Sequence, residues 1–163
     1  MATWDEVTAA APELAAKARA LFDAHRHKTM ATLRRDGSPR ISGTELSFVD
    51  GDLWIGGMHK SVKALDLRRD PRVAIHSASM DPPDDPSAWE GDAKLAGRAE
   101  EITDPERKAA VAKGAGGDEP PEPYHLFRVD VTELVVTRVG DPADHLVIEF
   151  WREGEGVRRV QRR

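Results

Sequence analysis

The chain has 163 residues, 39% of them hydrophobic, enough for a domain that buries about 70% of its unfolded surface. Its 24 basic and 29 acidic side chains leave a formal net charge of -5, the wrong sign for a general nucleic-acid binder, which needs a positive excess to release counterions. Cysteine is absent, which excludes disulfide frameworks, zinc–thiolate and iron–sulfur sites and thiol nucleophiles, and no run of 18 apolar residues suits a membrane span.

Residues 3–27 read as helical. Thr3 and Glu6 have capping-box spacing, and Pro12 suits the first turn of a second helical stretch in which Leu14, Ala18, Leu21 and Phe22 share a face. This opening is acidic early and lacks a continuous apolar core, so it is not read as a signal peptide, and a cytoplasmic location is expected. From Lys28 the pattern changes to β-formers punctuated by Asp36-Gly37 and Asp50-Gly51, both hairpin-turn pairs, which predicts strands near 28–35, 39–49 and 52–57.

A short helix follows, with Ser61 as its N-cap, Val62, Leu65 and Asp66 at helical spacing, and Pro71 beyond its end. Further strands are predicted near 72–79, 93–102, 124–139, 145–152 and 157–163, with a helix at 105–113. The Pro- and Asp-rich stretch 81–92 and the sequence GAGGDEPPEP read as loops. No internal repeat is visible, and 1–163 is expected to be a single domain. The expected class is mostly β, a six-stranded antiparallel split β-barrel with peripheral helices.

The stretch with the most chemical content is His59-Lys60-Ser61-Val62-Lys63, which opens the short helix. A helix start offers unpaired amides and about half a positive charge. Lys60 and Lys63 add full charges, and Ser61 adds a hydroxyl able to bond a phosphate oxygen. Taken alone, such a stretch more often marks a capped surface helix with solvated lysines. The same holds for the arginine-rich C-terminus, where Arg152, Arg158, Arg159, Arg162 and Arg163 form a basic tail. The six histidines have no metal-ligand spacing, so no metal site is expected, and His76 in a strand reads most simply as structural.

Three spaced elements together resemble the pyridoxamine 5'-phosphate oxidase-like family of split-barrel flavoproteins. These are Asp36-Gly37-Ser38-Pro39, the basic turn, and the run Lys63…Leu67…Asp70-Pro71-Arg72-Val73, with the resemblance extending over roughly residues 28–160. The resemblance implies a homodimer with FMN or the deazaflavin F420 in a cleft between subunits, and a small-molecule substrate. It places Lys60, Ser61 and Lys63 on the cofactor's phosphate. Ser42, Gly43, Thr44 and Glu45 would lie along the ring edge, with His76 and Ser77 as polar contacts to the ring. Glu149-Phe150-Trp151 matches a C-terminal family segment, which implies that Trp151 and either Arg162 or Arg163 reach the cofactor from the second subunit.

Two departures redirect this picture. The C-terminal segment lacks the histidine of true pyridoxamine phosphate oxidases, and Glu45 stands where those enzymes carry a lysine five residues after Arg40. Both argue against oxidation of pyridoxamine phosphate, and the Lys60-Ser61-Val62-Lys63 form of the basic turn is closer to the F420-using members. The expected activity is therefore an F420-dependent reductase that transfers hydride to a small organic substrate. An FMN-binding oxidoreductase and a non-catalytic cofactor-binding protein are the rival expectations. The substrate pocket is expected in the loops near 80–91 and 115–123, with Trp89 as either a stacking wall or a simple loop anchor. No catalytic acid or base is assigned.

Overall fold

The computed structural model describes residues 1–163. Two helices, α1 (Trp4–Ala10) and α2 (Pro12–Asp23), open the chain. The Thr3–Glu6 capping box closes in both directions, satisfying amides that would otherwise be orphaned at the helix start. Trp4, Val7, Leu14, Ala18 and Phe22 are buried from these helices against the sheet, so the face predicted for α2 is the face that packs. No helix is long and apolar enough to cross a membrane.

The remainder is one antiparallel sheet of nine strands. They are β1 (Lys28–Leu33), β2 (Pro39–Thr44), β3 (Ser47–Val49), β4 (Asp52–Met58), β5 (Arg72–His76), β6 (Asp92–Glu101), β7 (Tyr124–Val139), β8 (Leu146–Arg152) and β9 (Gly156–Arg162). The main order is β2-β1-β5-β6-β7-β4-β3, with β8 and then β9 added along the far half of β7. The long β7 carries β4 on its first half, through Tyr124 to Val129, and β8 on its second, through Glu133 to Val139. The sheet curls without closing, because β2 and β3 are not hydrogen-bonded to one another. This open curl is the split-barrel arrangement, built from nine strands where six are expected for the barrel.

Asp50 and Gly51 both take positive φ (51° and 76°), the requirement of a two-residue primed hairpin turn, and they join β3 to β4. The strand predicted over 39–49 breaks at Glu45 and Leu46, so two short strands replace one. That break opens the split.

Helix α3 (Val62–Arg69) follows β4, and α4 (Pro105–Gly114) follows β6. The buried face of α3 is Ala64, Asp66 and Leu67; Val62 and Leu65, predicted at helical spacing with Asp66, are exposed instead. A charge takes the inward position because it is fully paired there. Asp66 accepts from Thr32 Oγ1 (2.9 Å), Arg40 Nε (2.7 Å) and an Arg69 guanidinium nitrogen (2.9 Å). Burial pushes its carboxyl up, but these three bonds outweigh it and hold the group below the usual carboxylate range. At the end of α3, Asp70 grips the Arg72 side chain and amide across Pro71, which holds the Asp70 carboxyl down at about 2.

Candidate functional site

A cleft of about 990 Å³ lies at the split of the sheet. One wall is the broken turn from Gly43 to Ser47 together with Arg26 and His27 just ahead of β1. The floor is the last part of β4, Gly56 to Met58, and the following His59, with Lys63 rising from α3. The opposite wall is α4, through Lys108, Val111 and Ala112, and the strap from Ala115 to Pro123 that leads into Tyr124. A second small core of Val49, Trp54, Val111 and Leu126 holds this outer wall to the sheet.

The floor is shaped by Gly57. A Cβ there would stand 3.1 Å from Ser61 Oγ and 3.5 Å from the Ala64 side chain, so the start of α3 sits closely on β4 because residue 57 lacks a side chain. Between them the chain turns through Lys60 at φ 57°, a left-handed conformation that costs a non-glycine residue about 1 kcal/mol. The turn is closed by the Ser61 amide donating to Met58 O (3.0 Å), and the first bond of α3 is from Leu65 N–H to Ser61 O (3.1 Å). The amides of residues 62–64 therefore have no acceptor within the helix.

Ser61 occupies the N-cap position, as the sequence predicts, but its hydroxyl caps nothing. Its Oγ is buried and has no hydrogen-bond partner in the chain. Lys63 Nζ donates to the Gly43 carbonyl (2.7 Å), linking α3 to the end of β2 across the split. Burial lowers the Lys63 pKa, with the Glu45 carboxylate pulling the other way. Lys60 is exposed between the lining residues His59 and Lys63.

Sequence reasoning thus names one group that the structure brings together: Gly43, Thr44, Glu45 and Lys63 line the cleft, with Lys60 and Ser61 in the turn beside it. Ser42 is half-buried on β2 opposite Met30, one step from the lining residues. The other named residues lie elsewhere. His76 Nδ1 donates to the Ser77 carbonyl (2.6 Å), and Ser77 Oγ accepts from Ala93 N–H (2.9 Å), so both serve the β5–β6 edge outside the cleft. Trp151 is buried in the main core, and Arg162 lies on the exposed strand β9. Neither lines the cleft of its own chain. Trp89 Nε1 donates to Met80 O (3.2 Å) and anchors its loop, so of the two predicted pocket loops only the strap lines this cleft.

Sequence reasoning misses several residues that line or brace the cleft. Arg26 Nε donates to Glu45 Oε1 (2.8 Å), and His27 Nε2 lies 3.6 Å from the same atom. Buried Lys28 braces this segment by donating to the Arg26 carbonyl (3.0 Å); burial, first, lowers its pKa against the pull of Asp23 and Glu45. The basic run from 25 to 28 is the signal for this wall, masked by its position at a helix end. Lys108 binds Glu122 and the Tyr124 carbonyl (2.9 Å) and lies 3.8 Å above the Tyr124 ring, tying α4 to the strap. Burial and the Glu119 hydrogen bond push the Tyr124 hydroxyl up to about 12, so it stays a neutral donor. His125, which packs beneath the floor, has no local motif to announce it.

The family model for pyridoxamine 5'-phosphate oxidase matches residues 14–139. The chain belongs to that family. The split-barrel fold recurs in solved structures at low sequence identity. A putative pyridoxamine 5'-phosphate oxidase from Listeria innocua is 17% identical, with a TM-score of 0.55 over 74% of this chain and 95% of that one. An F420 reductase is 20% identical, with a TM-score of 0.50 over 66% of this chain and 87% of the other. HutZ, the heme storage protein of Vibrio cholerae, is 15% identical, with a TM-score of 0.54 over 78% and 94%. No curated protein matches the chain.

Proposed function

We propose that this member of the pyridoxamine 5'-phosphate oxidase family is an oxidoreductase that uses F420 to reduce a small organic molecule. The observation that carries the reading is the unpartnered, buried Ser61 hydroxyl beside Lys63 and the free amides of residues 62–64. Those groups are all donors gathered at the start of α3 beside the cleft floor, and a phosphate oxygen is an acceptor for the Ser61 hydroxyl and the free amides, with the Lys63 charge next to it. The residues therefore fit the phosphate-bearing end of a flavin or deazaflavin.

Glu45 favours F420 over FMN. Its carboxylate stands on the wall next to Lys63 and already engages Arg26. A phosphodiester such as that of F420 brings one negative charge to this corner, whereas the monoester of FMN brings close to two at pH 7. FMN is the second reading, favoured by the family to which the chain belongs.

When bound, the reduced cofactor supplies the hydride. The chain's own residues do the rest. Lys63, Lys60 and Ser61 hold the anionic end, the end of β2 from Ser42 to Thr44 with the following Glu45 offers backbone groups along the ring edge, and the strap with Tyr124 limits water on the far wall. No nucleophilic side chain is needed.

A homodimer completes the proposal. Ile41 (75% exposed), Met58 (80%), Val62 (53%) and Leu65 (42%) are apolar side chains left uncovered on β2, β4 and α3, around the cleft. Every residue of β9 is exposed, with Val157 and Val160 among its arginines. A second copy of the chain covers such surfaces and brings Arg162 or Arg163 toward the cofactor, while Trp151 stays in the core of its own chain.

Titration with F420 and with FMN, followed by fluorescence, tests the cofactor, and light scattering tests the dimer. Tighter binding of F420 and a mass of two chains are expected; a protein that takes neither ligand, or that purifies yellow with tightly held FMN, overturns the F420 reading.

A further inference from the structure

We infer that His125 is the positioning residue of the anion seat, setting the 58–61 turn from beneath. This rests on the reading of that turn as the place where the cofactor's phosphate is held. His125 is the second residue of β7, opposite Gly57, and its side chain is only 8% exposed. Its Nε2 accepts the Lys60 amide (3.1 Å), the amide of the one residue in the turn with left-handed φ. An N–H points at Nε2, so that nitrogen is the unprotonated one. The ring proton is on Nδ1, donated to Glu101 Oε1 at 2.6 Å.

The chain of contacts continues outward. Glu101 Oε2 holds Arg68 Nε (2.9 Å), so the α3 helix that begins at the seat is fastened near its other end to the same carboxylate. The ring itself is clamped between the His59 imidazole (5.9 Å between centroids, 13° between planes) and Phe127 (6.2 Å, 23°). A single imidazole, fixed in one tautomer by Glu101, therefore holds the backbone of Lys60 in a conformation it would otherwise leave. That conformation turns the chain from β4 into α3 and sets where Ser61 and Lys63 stand. His125 does not itself line the cleft; its action is through the Lys60 amide.

The test separates the phosphate's share of binding from the ring's. FMN against riboflavin, and F420 against its phosphate-free deazaflavin fragment, are titrated into the wild type, His125→Leu and His125→Gln. Leucine removes the acceptor, whereas glutamine keeps an oxygen for Lys60 and an N–H for Glu101. In His125→Leu the phosphate-bearing ligands are expected to lose about tenfold in affinity, the size of one net hydrogen bond near the top of its range, while the phosphate-free partners change by less than about twofold. In His125→Gln most of the loss is recovered. Equal losses for both ligands of a pair, or no recovery with glutamine, overturn the positioning role and leave His125 a packing residue. A wild type that binds each pair equally, phosphate or not, overturns the reading of the seat itself, and a melting curve of each variant confirms that folded protein is compared.

Discussion

The two ends of α3 are built from the same kinds of residue and do opposite things. Toward the C-terminal end, Asp66 in the middle of the helix is buried, and Thr32, Arg40 and Arg69 together satisfy its carboxylate. At the N-terminal end, Lys60, Ser61 and Lys63 present donors, and the one buried hydroxyl among them has no acceptor. A charged cluster whose hydrogen bonds are complete holds a fold together. One whose donors are left over is, under the proposed function, the place for a ligand. The contrast also accounts for Arg40, which matches a family position on the strand but is engaged by Asp66.

Substitutions at the two ends should separate stability from binding. Asp66→Ala strands Arg40 and Arg69 and is expected to cost about 3 kcal/mol in urea unfolding, the lower end of the range for breaking a buried pair. If it costs no more than an ordinary surface change, the carboxylate is not the internal tie. Lys63→Ala is expected to weaken cofactor binding by about 1.5–3 kcal/mol, the span for bonds to charged groups, while the unfolding midpoint moves little. A fall in stability with unchanged affinity would exchange the roles of the two ends.

Ser61→Ala sharpens the contrast. Loss of a working N-cap typically costs about 1 kcal/mol of stability, but Ser61 Oγ makes no capping bond, so stability should hold while affinity drops by about 0.5–1.5 kcal/mol. Stability loss without affinity loss would make the serine an ordinary cap.

The pH dependences run in opposite directions. The Asp66 carboxyl is held below its ordinary value, so its stabilising contribution is present above the unfolded value of 3.8 and is lost as pH falls through the lower folded value. Acid unfolding of the wild type should show this slope and Asp66→Asn should not. Burial holds the Lys63 amine below the usual 10.5 in the free protein, and a bound phosphate is expected to raise it again. Affinity for FMN or F420 should therefore begin to fall at an alkaline pH below 10.5, whereas affinity for riboflavin should not follow it. The smallest expected effect is Glu45→Gln, which should improve FMN binding by a few tenths to about 1 kcal/mol, because the ion pairs of Glu45 are exposed and screened.

Local chemistry makes much of this fold legible in the amino-acid order itself. The Thr3–Glu6 box, the Asp50-Gly51 turn and the Lys63-to-Val73 run each act over a few residues, and each appears where the sequence places it. What local pattern does not reveal depends on distant partners. Asp66 is inward only because Thr32 and Arg40 arrive from β1 and β2, which sends Val62 and Leu65 outward against their hydrophobicity. The Ser77 hydroxyl is taken up by the Ala93 amide on β6, a partner that no neighbouring residue announces. His125 is 65 residues from the amide it holds, and no spacing rule connects them.

The most direct test is a crystal structure of the protein with F420 bound. The account predicts a phosphate oxygen within hydrogen-bonding distance of Ser61 Oγ and Lys63 Nζ, with the Lys60 amide still donating to His125. A phosphate seated anywhere else, with Ser61 Oγ still unpartnered, would contradict it.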